Sequence, residues 1–284
     1  MAPKGTGHVT ALCAGTGGLV TAARNRDGTG TWLRGWDARS RKSRWMLKAP
    51  ASRVELRLSA DGRSMLLTTP GGTNHVYQLG AKIRAYRTWK RKRGRKKGRN
   101  QGLSADGSML IRGDVRGQVR GYALDKYKMK WLVKGERVVM SRDGRVAAVV
   151  RGTQVRLVDA VTGLGLGKAW TLAGNLIALA VHSRDRWAQV LRKGQVCELR
   201  VTALKSRAVG CKGGAHLAWS PAGTLLGIAG QGSAQVIRVS DGRVMSTHQS
   251  RFWAPLRVAF PSDTTFVLAN EVGGRLSFYR LVRR

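Results

Sequence analysis

The stretch His216-Leu-Ala-Trp-Ser-Pro-Ala-Gly223, continued by Leu225–Ala229 and then by Gln235-Val-Ile-Arg-Val-Ser-Asp-Gly242, reads as three short strands separated by two tight turns. Its apolar residues come in short runs or alternate with polar ones, which is the period of a strand and not of a helix. Ser, Asp and Gly stand where the chain must reverse. Short polar side chains bond the backbone of a turn, and Gly supplies the positive φ that other residues resist.

The same unit recurs along the chain. Ser59-Ala-Asp61-Gly62, Ser104-Ala-Asp106-Gly107 and Ser141-Arg-Asp143-Gly144 repeat the turn. Weaker copies are Ser183-Arg-Asp185-Arg186 and Pro261-Ser-Asp263-Thr264, and Cys13-Ala-Gly-Thr-Gly-Gly18 fills the slot in the first unit. With Ser220 included, the slots are spaced by 46, 45, 37, 42, 37 and 41 residues, so seven units occupy the 284 residues with little left over. Regular spacing on this scale marks a repeat architecture. Second strands are expected at Met65–Thr69, Met109–Ile111, Val146–Val150, Leu225–Ala229 and Phe266–Ala269. Third strands carry Gln118-Val119, Gln154-Val155, Gln195-Val196 and Gln235-Val236, with His75-Val76 and Arg275-Leu276 in the same place. Outer strands are expected at Lys42–Leu47, Ile83–Trp89, Tyr127–Val133, Lys168–Leu172, Ala203–Val209 and Arg243–His248.

This pattern resembles the WD40 family across nearly the whole chain, and Leu33-Arg-Gly-Trp36-Asp37 carries the dipeptide that names the family. The resemblance implies an all-β fold: a seven-bladed β-propeller of four-stranded antiparallel blades. It implies one domain over residues 1–284, with a basic loop excursion near residues 90–100. The family's Gly-His dipeptide is nearly absent, and Val158-Asp159 and Val239-Ser240 replace most Trp-Asp pairs. The family's buried Asp-His-Ser/Thr-Trp network is therefore not carried over, and the blades are expected to rest on apolar packing. The seventh unit has three strands ending near Leu281. Residues Ala2–Thr6 are a candidate for its missing outer strand, where Pro3 is tolerated on an edge.

Charge is the unusual quantity. The chain carries 52 Lys+Arg against 15 Asp+Glu, a formal net charge of +37. Such an excess opposes compaction through self-repulsion, so a polyanionic partner is expected to offset it. The basic residues concentrate in the first three units. The peak, Lys82 to Arg99, holds eleven basic residues in eighteen and no acidic one. Its second part, Lys90 to Asn100, has nothing to bury and reads as an exposed loop. A second cluster is Arg34, Arg39, Arg41, Lys42, Arg44 and Lys48; a third is Lys126, Lys128, Lys130, Lys134 and Arg137. Together these are expected to make a basic rim.

The pattern suits a phosphate backbone, because each cation that neutralises a phosphate releases counterions. The residues assigned to nucleic-acid contact are Arg39, Arg41, Lys42, Arg44, Arg84, Arg87, Trp89, Lys90, Arg91, Lys92, Arg93, Arg95, Lys96, Lys97, Arg99, Lys128 and Lys130. RNA is favoured over DNA, since basic loops suit irregular shapes and no helix for groove readout is apparent. The expected role is a scaffold subunit of a larger nucleoprotein complex. A docking scaffold for an acidic protein partner is the alternative, and attachment to an anionic membrane surface the third reading. The Trp residues that interleave with the cations, at Trp45, Trp89, Trp131 and Trp170, can stack on bases or can anchor their own strands. Their recurrence at one place in the repeat favours anchoring.

No enzymatic chemistry is indicated. The five histidines have no metal-ligand spacing, and Asp61, Asp106, Asp143, Asp185 and Asp241 are used by turns. Gly163-Leu-Gly165-Leu-Gly167 and Gly15-Thr-Gly17-Gly18 lack a Gly-Lys-Ser/Thr ending and read as tight turns, not phosphate loops. No cofactor, metal or small-molecule substrate is expected. The start has no apolar secretory core, and no apolar stretch is long enough to span a membrane. Cys13, Cys197 and Cys211 form no CxxC pair and read as reduced thiols. An intracellular protein, cytoplasmic or at the nucleoid or nucleus, is expected.

Overall fold

Each repeat unit folds into one antiparallel sheet whose strands lie side by side in chain order. The computed structural model describes residues 6–15, 18–25, 30–37, 39–51, 54–80, 82–90, 101–114, 116–193, 196–202, 204–209, 215–250, 256–270 and 276–281. Every regular element among them is a strand. Sheet one holds Thr6–Gly15, Gly18–Asn25, Thr31–Asp37 and the outer strand Ser43–Lys48. Sheet two holds Glu55–Leu58, Ser64–Thr68, Thr73–Gln78 and Arg84–Lys90. Sheet three holds Gln101–Leu103, Met109–Gly113, Gln118–Ala123 and Lys128–Lys134. Sheet four holds Arg137–Met140, Val146–Arg151, Gln154–Asp159 and Trp170–Thr171. Sheet five holds Asn175–Ser183, Arg186–Lys193, Val196–Val201 and Arg207–Val209. Sheet six holds His216–Trp219, Leu225–Ala229, Ser233–Arg238 and Val244–Gln249. Sheet seven holds three strands among the described residues, Leu256–Ala259, Thr265–Asn270 and Leu276–Arg280. Of the segment Ala2–Thr6, which the sequence offers as a fourth, Thr6 opens the first strand of sheet one and the rest lies outside the described residues.

The Ser-x-Asp-Gly turns are one hydrogen-bonded device. Gly62, Gly107, Gly144 and Gly223 donate their N–H groups to the carbonyls of Ser59, Ser104, Ser141 and Ser220, each at 3.0 Å. Those four serines are buried. Their hydroxyls accept the N–H groups of Ser64, Met109 and Val146 at 2.9 Å and of Leu225 at 3.2 Å. In the first three copies the hydroxyl also donates to the carboxylate of Asp61, Asp106 or Asp143. A buried hydroxyl is tolerated because it is bonded on both sides. These bonds add to the apolar packing on which the blades are expected to rest. In sheet one, Trp36 Nε1 donates to Thr21 Oγ1 at 2.9 Å, a further buried polar link.

The chain forms two compact units, Arg57–Gln195 and Met1–Leu56 with Val196–Arg284. In the first, successive turns are stitched by backbone bonds: Asp61 N to Ala105 O at 3.2 Å, Ala105 N to Gly144 O at 3.0 Å, and Arg142 N to Val181 O at 2.7 Å. Its core lies between sheets. Ile111, Val119 and Trp131 of sheet three pack on Val138, Val149 and Val158 of sheet four. In the second unit, sheet one packs on sheet seven through Val9, Leu12, Leu19 and Trp36 against Ala259, Val267 and Ala269. Sheet six meets sheet seven through Val236 against Val258, Phe260 and Phe266. Fully burying one such side chain contributes roughly 1.5–3 kcal/mol.

Two expectations shift. The outer strands of sheets one to three begin and end one residue later than the apolar pattern places them. Tyr127 explains the third, because its φ of 51° belongs to a turn and not a strand. The cysteines are not three reduced thiols. Cys13 Sγ donates to Leu56 O at 3.0 Å, whereas Cys197 is disulfide-bonded. Cys211 lies outside the described residues.

Candidate functional site

Excess positive charge sits on particular outer strands. Ser43–Lys48, Arg84–Lys90 and Lys128–Lys134 carry eight Lys or Arg and no Asp or Glu, whereas the outer strands of sheets four to six carry one, Arg207. Each outer strand is the free edge of its sheet. Lysine and arginine on such an edge keep it soluble and discourage pairing with another chain.

A shared irregularity sets how these side chains are presented. In sheets one, two, three and six the outer strand holds one extra residue: Arg44, Tyr86, Lys130 and Met245. Such a bulge kinks the edge and re-aims the side chains around it. The residue after the bulge opposes Gly35, Val76, Gly121 or Val236. In sheets one and three this residue is Trp45 or Trp131, lying on a glycine. A Cβ added to Gly35 would meet Trp45 at 2.2 Å, and one added to Gly121 would meet Trp131 at 2.2 Å. Trp131 is buried, and its Nε1 donates to Ala160 O at 3.3 Å. Trp170 stacks on Trp187 with ring centroids 5.1 Å apart. These rings anchor strands, the structural alternative to base stacking.

The residues assigned to nucleic-acid contact fall into three groups. Arg39, Arg41, Lys42 and Arg44 are exposed and frame the turn before the outer strand of sheet one. Asp37 organises that turn: its carboxylate accepts the N–H groups of Arg39 and Ser40, at 3.0 and 2.7 Å, and pairs with Arg44. The Ser40 N–H and hydroxyl, followed by Arg44, hold the Asp37 carboxyl down to about 2. Arg41 lies over the Phe278 ring, 5.8 Å from its centroid. On sheet two Arg84 is exposed, while Arg87 is half-buried and donates to Asp125 O at 2.8 Å. Trp89 is half-buried, its ring 5.0 Å from that of Tyr127. Tyr127 stacks in turn on Tyr122, and burial pushes its phenol up. Lys128 and Lys130 are exposed on sheet three. Lys90 closes its strand. Arg91, Lys92, Arg93, Arg95, Lys96, Lys97 and Arg99 lie outside the described residues. The Arg87–Asp125 contact brings sheets two and three together; the turn around Asp37 belongs to the other compact unit.

Two positions were missed by the sequence reading as members of one arrangement. Arg34 opposes Met46 in sheet one, and Arg120 opposes Leu132 in sheet three. Both arginines have a buried Nε with no hydrogen-bond partner. Arg120 Nη2 bonds Gln118 and pairs with Asp114 at 3.4 Å. The signal lay in the paired motifs Arg34-Gly35 with Arg44-Trp45-Met46, and Arg120-Gly121 with Lys130-Trp131-Leu132.

Among the described residues no group of three or more His, Cys, Asp or Glu is placed to hold a metal ion. No helix among them is long and apolar enough to cross a membrane. The Gly163–Gly167 stretch is a turn closed by Asp159 N to Leu164 O at 2.8 Å.

Seven antiparallel sheets, each laid down in chain order from one repeat unit, are the blades of a β-propeller. No family model matches the sequence, and no curated protein does. Solved structures do match. The β-propeller domain of Cps50 (Swd1) from Myceliophteria thermophila is similar at a TM-score of 0.71 and 12% identity, over 97% of this chain and 98% of that one. At that identity the likeness is one of fold, and it bears out the expectation of a seven-bladed β-propeller.

Proposed function

We propose that this protein is a non-catalytic docking scaffold, acting over residues 1–284 as one domain, whose partner is an acidic protein. The carrying observation is the eight cations, with no acid, on the outer strands of sheets one to three, of which Arg44, Lys48, Arg84, Lys128, Lys130 and Lys134 are exposed at free sheet edges. The fold does not by itself assign a role, so the function is argued from this site. Charge complementarity speeds association and selects partners, and makes the complex salt-sensitive.

Nucleic acid, placed first on sequence alone, becomes the second reading. The run Lys90–Arg99 and the net charge of +37 favour it. The Trp residues Trp45 and Trp131, however, are spent on glycines of their own sheets and are not presented to bases. The intracellular location expected from reduced thiols loses that support, because Cys197 is disulfide-bonded.

Purification from the native host without nuclease, followed by nuclease digestion, separates the two. A stoichiometric protein complex that survives digestion and dissociates in high salt is the expected result. Loss of the complex on digestion, with an oligonucleotide recovered, would reverse the order.

A further inference from the structure

The edge of sheet one and the edge of sheet three present the same arrangement. Directly opposed residues on neighbouring strands share a face, so Arg34 stands beside Met46 and Arg120 beside Leu132. Lys48 and Lys134 follow two residues on, on the same side of the outer strand. The extra residue of the bulge is a cation in both, Arg44 and Lys130. Met46 is 51% exposed and Leu132 42%. In the same register sheet two has His75 and Thr88, and sheet six has Gln235 and Thr247. Threonine is therefore what the fold accepts at this solvent-facing position, and packing does not account for Met or Leu there. Edge protection accounts for the cations but not for an apolar side chain between them. The two arginines add a second oddity. Each keeps a buried Nε donor without a partner, which is costly unless something supplies an acceptor.

We infer that these two edges are duplicate docking sites for an extended acidic segment of a protein partner carrying an apolar anchor. The inference rests on the acidic-protein reading above and adds the chemistry of the segment. A carboxylate of the segment lies against the solvent side of the Arg34 or Arg120 guanidinium, a planar fork that an ammonium does not offer. The flanking cations, Arg44 with Lys48 and Lys130 with Lys134, hold further acidic residues. An apolar side chain covers Met46 or Leu132. Asp37 and Asp114 are the protein's own carboxylates nearest these cations, pairing Arg44 and Arg120 in the absence of the segment. A bare phosphate chain satisfies the cations but offers nothing to cover Met46 and Leu132, and an RNA oligonucleotide, whose bases could, is an arm of the test.

The test uses the full chain and two labelled synthetic peptides of equal net charge, one alternating Glu with Leu and one alternating Glu with Ser, read by fluorescence anisotropy. The Glu-Leu peptide is expected to bind about five-fold tighter, the effect of burying the exposed half of one such side chain. The double variant M46T/L132T, which installs the residue of sheets two and six and is checked for an unchanged circular-dichroism melt, should erase that preference. Its binding of the Glu-Ser peptide should not change. Equal binding of both peptides by the parent chain overturns the inference and leaves the docking reading standing. Failure to bind either overturns both. A single-stranded RNA oligonucleotide that binds tighter than both peptides, and equally well in the double variant, also overturns it.

Discussion

Gly121→Ala and Trp131→Ala, made singly and together, probe how the outer strand of sheet three is locked. Trp131 is 8% exposed and closes the core shared by sheets three and four. Its removal leaves a cavity and an unbonded Ala160 carbonyl, at a cost of about 3–5 kcal/mol. The added methyl of Gly121→Ala falls 2.2 Å from the indole, so the ring must leave its seat. Overpacking of this kind costs about 1–3 kcal/mol. With the indole gone, the three atoms nearest that methyl are gone too. The double variant should therefore be no less stable than Trp131→Ala alone, with a coupling of about 1–3 kcal/mol. Urea unfolding followed by far-ultraviolet circular dichroism gives all four corners of the cycle. Additive losses, to within about 0.5 kcal/mol, would refute the claim that Gly121 is small because Trp131 lies on it.

Three further outcomes are expected. Ser104→Ala should destabilise by about 1–3 kcal/mol, because it strips a buried N–H of Met109 of its acceptor, and amide exchange at Met109 should accelerate. Gly144→Ala should lower the melting temperature more than Gly152→Ala. Both glycines have positive φ, but only at Gly144 would the new Cβ stand 2.6 Å from a backbone atom, Ala105 Cα. For pH, the Asp37 carboxyl lies at about 2 against an ordinary 3.8. A depressed folded-state value gives stabilisation that is complete above the ordinary value and lost as pH falls through the folded one. The melting-temperature advantage of the parent over Asp37→Asn should thus shrink between pH 4 and pH 2, and a constant difference would exclude the proposed role of Asp37.

The architecture was legible because each repeat carries its own punctuation. Leu225–Ala229 was located to the residue, since Ser220 to Gly223 closes it on one side and Gly230 on the other. Outer strands were harder. Apolar alternation around Tyr127 or Lys42 does not reveal that Tyr127 and Arg41 hold positive φ, and so the strands were placed one residue early. Where the outer strand is nearly absent, as at Trp170–Thr171, alternation over-extended it to Lys168–Leu172. The candidate site was half legible. Sequence counts find the cations, but register decides which stand beside Met46 or Leu132. Register depends on a bulge at Arg44 or Lys130 that no residue preference announces. The buried serines were read as turn formers only, because bonding to the following strand needs the third dimension.

The contact between sheet one and sheet seven bears on synthesis. Leu12 and Trp36 leave the ribosome early, and Val267, their eventual cover, follows roughly 230–250 residues later. At the usual pace of translation, about 5–20 residues per second, that apolar face waits about 10–50 s for its neighbour. During that wait it is a surface that chaperones must shield, and a chain stopped before sheet seven would carry the exposed face for its whole lifetime.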